Sequence, residues 1–158
     1  DHVTVVGIAG DSGFVSINTT KYLMNREVGF GRKFLQILED LNISWEHMPT
    51  GIDDLSIILR SRELTPIKEQ EILKQLTQKL EVDTAEIEHD LSIIMIVGEN
   101  MKSQVGVTAT AAKALSENEI NIQMISQGSS EVSIMFVVSK DQEEKAIKAL
   151  YNAFFSNN

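Results

Sequence analysis

Residues 28–59, VGFGRKFLQILEDLNISWEHMPTGIDDLSIIL, and residues 105–136, VGVTATAAKALSENEINIQMISQGSSEVSIMF, align without a gap at an offset of 77 positions. The offset places Gly29 on Gly106 and keeps many apolar residues in register. Self-similarity of this length is typical of a supersecondary unit that occurs more than once in a chain. The sequence therefore predicts two copies of one structural unit.

Each copy begins with a predicted strand followed by a helix. The strands are residues 14–23 and 91–97, which are rich in β-branched and apolar residues. Apolar residues then recur at helical spacing. They are Phe30, Phe34, Ile37, Leu38 and Leu41 in the first copy and Val107, Ala111, Ala114 and Leu115 in the second. Each helix is predicted to start at a glycine and to lack a side-chain cap.

Two closely spaced strands and a second helix complete each copy. Residues 43–48 with 55–60, and 120–126 with 132–139, are separated by glycine-containing turns and are predicted to form hairpins. The second helix of the first copy begins at Thr65-Pro66, a cap residue followed by proline. Its apolar stripe of Ile72, Leu73, Leu76 and Leu80 matches Ala146, Ile147, Leu150 and Phe154 in the second copy.

These elements predict an α+β fold built from two ferredoxin-like βαββαβ units. Residues 81–88 supply a fourth strand to the first copy, whereas the second copy has no strand after its last helix. The strand predicted at residues 3–8 has no partner in the first copy, so we expect it to complete the second sheet. The first unit, residues 11–89, would then be inserted into a discontinuous second unit made of residues 1–10 and 90–158.

The composition argues against several classes of partner. The chain carries 14 Lys and Arg against 23 Asp and Glu, a net charge of −9, which repels nucleic acid and anionic membrane surfaces. No apolar run approaches the roughly 18 to 20 residues of a membrane-spanning helix, and residues 1–3 do not resemble a secretion signal. Because the chain also lacks cysteine, we expect a cytoplasmic protein without nucleic-acid or membrane partners.

Catalytic and cofactor motifs are not found in the sequence. Phosphate-binding glycine loops and nucleophile elbows are absent, and His2, His47 and His89 lack the spacing of metal ligands. No catalytic residue, metal or cofactor is therefore predicted. One enzymatic alternative is an acylphosphatase-like site at Asn25-Arg26, between the first strand and the first helix. The acidic residue that follows weighs against it.

The repeated glycine turn is the stronger candidate for a binding site. Gly29 and Gly106 allow a ligand to approach a helix start, whose free N–H groups suit a carboxylate; alternatively, both glycines only permit a tight turn. On the following strands lie Ser44-Trp45-Glu46 and Asn121-Ile122-Gln123. The carboxylate in the first of these segments suits an ammonium group, or it faces solvent. Its tryptophan is expected in a core or an interface rather than in a site wall.

Three motifs of the second copy resemble the paired ACT domains at the C-terminal end of aspartokinases, the enzymes that phosphorylate aspartate. The motifs are Val97-Gly98-Glu99-Asn100-Met101, Gly106-Val107-Thr108 and the segment from Asn121 to Glu131. The resemblance covers nearly the whole chain. In that family the N-terminal strand completes the second ACT unit, and ACT units pair edge to edge to form a dimer.

The resemblance implies a regulatory module without catalytic activity of its own. It implies an amino acid effector, lysine first and threonine next, at the interface of paired units, and feedback inhibition of an attached kinase domain. ATP and Mg²⁺ are expected only for that kinase domain, which this sequence does not contain. A module that dimerises the enzyme without an effector is the alternative. The implied effector-binding positions are Met24, Gly29, Phe30, Gly31, Ser44, Trp45, Glu46, Asn100, Gly106, Val107, Ile122 and Gln123.

Overall fold

The computed structural model describes residues 4–99, 105–128 and 133–156. Its strands are β1 (Thr4–Thr20), β2 (Asp54–Arg60), β3 (Thr84–Glu99), β4 (Met124–Ser126) and β5 (Ser133–Ser139). Its helices are α1 (Phe30–Asp40), α2 (Pro66–Gln78), α3 (Val107–Glu117) and α4 (Glu143–Phe155), with short 3₁₀ turns at Met24–Arg26, Ser61–Glu63 and Lys140–Gln142. Within these residues, no helix is long and apolar enough to span a membrane.

The chain divides into two compact units. The inserted unit comprises residues 13–89, and the discontinuous unit comprises the segments on either side, which end at Ser12 and resume at Asp90. The first boundary predicted from the sequence lies after residue 10, two residues before the observed one. Strands β1 and β3 each contribute residues to both units.

In the inserted unit the strands lie in the order β2-β1-β3. Strands β1 and β2 are antiparallel, from Phe14 opposite Arg60 to Thr20 opposite Asp54. The strands and helices α1 and α2 share one core, because each helix turns an apolar stripe toward the sheet. Fully buried members of this core are Ile17, Phe34, Ile57, Ile72 and Leu76.

In the discontinuous unit the order is β1-β3-β5-β4. Strands β3 and β5 are antiparallel, from Leu91 opposite Ser139 to Val97 opposite Ser133. Val5 of β1 is buried in the core that this sheet forms with α3 and α4. Fully buried members of that core are Ile94, Ala111, Leu115, Phe136 and Leu150. The N-terminal segment therefore packs with the second copy of the repeat.

The helix predictions are confirmed. Helices α1 and α3 begin directly after Gly29 and Gly106, and neither has a side-chain cap at its start. At the start of α2, Thr65 Oγ1 accepts a hydrogen bond of 3.2 Å from the N–H of Lys68, and Pro66 occupies the first helical position. These starts depend on local sequence, which explains why they were predictable.

The prediction of separate strands is wrong at two places. The sequence predicts strands at residues 3–8 and 14–23, but β1 is continuous over Thr4–Thr20. The strands predicted at 81–88 and 91–97 are likewise joined in β3. Gly13 and Asp90 have φ angles of 86° and 57°, and a single left-handed residue bends a strand without ending it. The polar residues around both positions resemble loops in the sequence.

The first strand of each predicted hairpin is shorter than expected. Residues 43–48 form no regular strand, and an isolated bridge links His47 to Ile58. The N–H groups of Glu46 and His47 both donate to the carbonyl of Ile58, at 2.9 and 3.2 Å. Glu46 and His47 thus both pair with Ile58, and two residues opposite one interrupt the hydrogen-bond ladder as a β-bulge does. In the second copy the corresponding strand is limited to Met124–Ser126.

Candidate functional site

The helix starts of the two copies share one backbone geometry. Gly29 has a φ of 84° and Gly106 a φ of 93°, left-handed values that glycine adopts without strain. No side chain caps either helix. In α1 the N–H of Phe30 donates to the carbonyl of Glu27, which leaves the N–H groups of Gly31 and Arg32 for a ligand. The geometry is compatible with both interpretations of these glycines, the tight turn and the binding site.

An ion-pair network holds the turn that precedes α1. Glu27 Oε2 lies 2.9 Å from Lys21 Nζ, and Glu27 Oε1 lies 3.4 Å from Lys33 Nζ. The Lys21 ammonium lowers the pKa of Glu27; burial acts in the opposite direction, and Lys33 lowers this pKa further. Lys21 Nζ also donates a hydrogen bond of 2.6 Å to the carbonyl of Leu80. The turn is thereby attached to the end of α2.

Three of the predicted effector positions surround this helix start. The side chains of Met24 and Phe30 are 4% and 3% exposed and belong to the core of the inserted unit. The N–H of Phe30 donates to the carbonyl of Glu27 at 3.4 Å. Gly31 is half-buried, and no atom lies within 4 Å of the position that a Cβ would occupy. A ligand at this turn would therefore contact backbone rather than these side chains.

A groove of about 650 Å³ lies in the inserted unit beside the C-terminal half of α1. Ser44 and Trp45, both predicted site residues, line it. Trp45 is 42% exposed, so it is not a core residue, and the other expected position, an interface, stays a prediction. Ser44 Oγ donates a hydrogen bond of 3.0 Å to Glu63 Oε1. The full lining is Leu35, Leu38, Glu39, Asn42, Ile43, Ser44, Trp45 and Glu63.

Two carboxylates of this groove, Glu39 and Glu63, were not anticipated from the sequence. Glu39 lies on the exposed face of α1 and Glu63 in the 3₁₀ turn after β2. The repeat carries no signal that brings these two positions together. Glu46, the predicted ammonium ligand, lies instead with its Oε1 3.0 Å from Arg60 Nε. Its negative charge is therefore already paired within the chain.

The glycine turn and the groove lie at opposite ends of α1. The helical residues that line the groove begin at Leu35, whereas Gly29 precedes the first turn. A helix rises about 1.5 Å per residue, so Glu39 lies roughly 15 Å along the axis from Gly29. One copy of the inserted unit therefore does not bring Gly29 together with Ser44 and Trp45 in one cavity.

The second copy presents a related but different arrangement. Val107, which follows the Gly106 turn, is 3% exposed and belongs to the core of the discontinuous unit. Ile122 and Gln123 are half-buried. The N–H of Gln123 donates to the carbonyl of Val137 at 2.8 Å, and its Nε2 lies 3.3 Å from Ser139 Oγ. The predicted effector residue Asn100 lies outside the described residues.

The other polar candidates form no catalytic arrangement in the described part of the chain. His89 Nε2 lies 3.1 Å from Glu69 Oε1, and burial lowers the pKa of His47. His2 is outside the described residues. Asn25 and Arg26 are exposed in the 3₁₀ turn before α1. Across residues 4–99, 105–128 and 133–156, no three His, Cys, Asp or Glu side chains gather to hold a metal ion.

Comparison with known proteins identifies relatives along almost the entire chain. Residues 94–154 match the family model described as ACT domain. Aspartokinase 3 of Bacillus subtilis is 55% identical over 152 residues, which cover 96% of this chain and 34% of that protein. The chain therefore spans about one third of the length of this curated relative.

Solved structures show the same fold. The aspartate kinase of Clostridium acetobutylicum is 39% identical and superimposes with a TM-score of 0.90 over 96% of this chain and 35% of its own. The regulatory subunit of aspartate kinase from Thermus flavus is 22% identical, with a TM-score of 0.81 over 96% of this chain and 99% of its own. These likenesses confirm the ferredoxin-like α+β fold class predicted from the sequence.

Proposed function

Because this chain belongs to the ACT-domain regulatory regions of the aspartokinases, we propose that it binds a free amino acid and transmits feedback inhibition to an attached catalytic domain in the cytoplasm. The observation that carries the proposal is the groove of the inserted unit, which has room for an amino acid beside an aromatic ring and two carboxylates. An effector that binds one conformation more tightly shifts the enzyme toward it.

The chemistry of the groove favours lysine over threonine. Glu39 and Glu63 provide negative charge for a side-chain ammonium group, which threonine lacks. The exposed ring of Trp45 is suited to an alkyl-ammonium chain through apolar contact and cation–π attraction. The negative charge of the groove is unsuited to the side chain of aspartate. Lysine is therefore the proposed effector and threonine the next candidate.

The α-carboxylate of the effector is assigned to the glycine turn. The uncapped start of α1 offers N–H groups and the positive end of the helix dipole. Arg32 Nε lies 4.0 Å from the position of a Cβ on Gly29 and adds positive charge there. Because that turn lies roughly 15 Å from Glu39 on the same helix, one amino acid cannot contact both within one copy.

We assign the two halves of the site to two copies of the chain. In a homodimer, the Gly29 turn of one protomer would face the groove of its partner, so that the effector binds at the interface. Val28, next to this turn, is 95% exposed, so its side chain is open to contact with a partner protomer. Ligand binding and dimerisation would then be coupled, because each completes the site for the other.

The test is a thermal-unfolding titration of the chain with lysine, threonine, methionine and aspartate, combined with analytical ultracentrifugation. We expect a saturable rise in Tm with lysine and a shift toward dimer at the same concentrations. Replacement of Glu39 and Glu63 by Gln should weaken lysine binding by about tenfold or more. The matched control is Glu86→Gln, an exposed carboxylate on β3 that is not part of the groove.

Dimerisation without any response to millimolar amino acids would refute effector binding and favour a module that serves assembly alone. A lysine response that survives in the Glu39→Gln and Glu63→Gln variants would instead refute the groove as its site.

A further inference from the structure

A second, smaller cavity of about 140 Å³ lies between α1 and α2 of the inserted unit. Ile37 and Leu80 contribute its apolar lining, and basic side chains from both helices contribute most of its charge. It shares no lining residue with the groove. The complete lining is Arg32, Lys33, Gln36, Ile37, Asp40, Gln75, Lys79 and Leu80.

The charges of this cavity are unbalanced. Asp40 is its acidic member, and Oδ1 of that carboxylate accepts a hydrogen bond of 2.8 Å from Gln36 Nε2. Lys79 Nζ donates to the neutral amide oxygen of Gln75 at 3.2 Å. Arg32 has no hydrogen bond or ion pair with any residue that the structure describes. Three cations thus line one cavity in a protein whose net charge is −9.

The second copy of the repeat shows that helix packing does not require these cations. The repeat aligns Arg32 with Ala109 and Lys33 with Thr110, and in the second helices Lys79 corresponds to Ala153. Helices α3 and α4 of the discontinuous unit pack together without them. The basic lining of the cavity is therefore a property of the inserted unit.

We propose that this cavity binds a phosphate group, either as the free ion or as the ester of a small metabolite. Its volume of about 140 Å³ is much smaller than the roughly 650 Å³ of the groove, which suits one phosphoryl group. Arg32 can donate two parallel N–H bonds to the anion, and the two lysines add point charges. Gln36 and Gln75 offer further donors.

The cavity is connected to the glycine turn through one side chain. Lys33 lines the cavity and also lies 3.4 Å from Glu27 Oε1, the longer of the two ion pairs that hold the turn. An anion that attracts Lys33 would weaken this pair, while the 2.9 Å pair between Glu27 and Lys21 stays in place. Phosphate binding is thus expected to change the environment of the turn without unfolding it.

The experiment is a titration of the chain with inorganic phosphate against sodium chloride at equal ionic strength, followed by Tm and by two-dimensional NMR of the backbone amides. We expect a saturable rise in Tm and amide shifts confined to α1, the end of α2 and the glycine turn. An Arg32→Gln/Lys79→Gln variant should lose both effects. A Lys74→Gln/Lys145→Gln variant, which removes two exposed cations outside the cavity, should keep them.

Phosphate also stabilises proteins in general by exclusion from their surface. The proposal would be overturned if the rise in Tm does not saturate, is equal in the unmodified chain and both double variants, and is not accompanied by localised amide shifts. A parallel titration with glycerol 3-phosphate distinguishes the free phosphate ion from a phosphate ester as the ligand. Tighter binding of this ester than of inorganic phosphate indicates a phosphorylated metabolite, and weaker or equal binding indicates the free ion. Arg32 is also assigned to the effector carboxylate at the glycine turn, so Lys79→Gln alone, which keeps Arg32, distinguishes the cavity from that turn. Unchanged phosphate binding in Lys79→Gln would refute the cavity and leave the proposed effector site untouched.

Discussion

Gly10 of β1 lies directly beneath Ile147 of α4. A Cβ on Gly10 would come within 2.5 Å of Ile147 Cδ1 and 3.0 Å of Glu143 Oε1. The side chain of Glu143 is itself held in place, because Ser92 Oγ donates to its Oε2 at 2.6 Å. The absence of a side chain at position 10 is therefore what allows α4 to lie close against the N-terminal strand.

Replacing Gly10 with Ala should destabilise the discontinuous unit. The methyl group would force the side-chain ends of Ile147 and Glu143 to move, so we expect the low end of the overpacking cost, about 1 kcal/mol. The free energy of unfolding, measured by urea denaturation, should fall by that amount. Gly7→Ala is the control, since no atom lies within 4 Å of a Cβ at Gly7 in the same strand. Equal stabilities of the two variants would contradict the packing described for α4.

Alanine at Gly29 or Gly106 should also lower stability, but for a conformational reason. At φ values of 84° and 93° a Cβ is strained, at a cost of about 1 to 2 kcal/mol. Gly31→Ala provides the contrast, because this glycine lies inside α1 with open space around it. That substitution should stabilise the helix by about 0.5 to 1 kcal/mol. Chemical denaturation of the three variants measures the difference, and a loss of stability in Gly31→Ala would count against the assigned helix start.

The ion pairs of Glu27 predict a specific dependence of stability on pH. Its folded-state pKa is lowered from 4.5, so the stabilisation is fully present above the unfolded-state pKa and is lost as pH falls through the lower folded-state value. Glu27→Gln should therefore cost most at neutral pH, and the difference from the unmodified protein should shrink in acid. Urea denaturation from about pH 7 to about pH 3 measures this.

The control for this experiment is Glu117→Gln, which removes an exposed carboxylate 3.8 Å from Lys113. Exposed pairs contribute little to stability, so this variant should follow the unmodified protein at every pH. A Glu27→Gln deficit that stays constant over the whole range would show that the carboxylate does not act through its charge.

Trp45 should report ligand binding directly. It is the one tryptophan of the sequence and lines the groove, so its emission arises from this site alone. Lysine should change the intensity or the wavelength of emission in a saturable way, at the same concentrations that raise Tm. Norleucine, which keeps the alkyl chain without the ammonium group, should have a much smaller effect. An identical response to both ligands would mean that the carboxylates of Glu39 and Glu63 do not contribute.

Local sequence signals allowed much of the fold to be predicted. The apolar spacing of Phe30, Phe34 and Ile37 indicates a helix whatever its partners, and Thr65-Pro66 marks a helix start in any context. The bulge at Glu46 and His47 could not be predicted, because it depends on which carbonyl of β2 both N–H groups reach. Strand ends at such places are decided by pairing between distant residues rather than by propensity.

The candidate site, too, could be predicted only in the parts that depend on local sequence. The repeat singled out Gly29, Ser44 and Trp45, and the structure places the last two in a groove. Glu39 and Glu63 join that groove because the turn after β2 folds back toward the end of α1, a contact between residues far apart in sequence. Gly29 is separated from the groove because α1 lies between them, and the sequence alone does not show that the groove forms at the far end of this helix.

The sharing of β1 between the two units has a consequence for synthesis on the ribosome. Residues 4–12 are translated before the inserted unit, but β3, their neighbour in the sheet, enters the discontinuous unit only at Asp90. At about 5 to 20 residues per second, the intervening segment takes roughly 4 to 15 seconds to translate. During that interval the inserted unit is contiguous and free to fold, while the early strand exposes an unpaired edge. The segment that precedes the inserted unit is thus ordered only after the segment that follows this unit has been made.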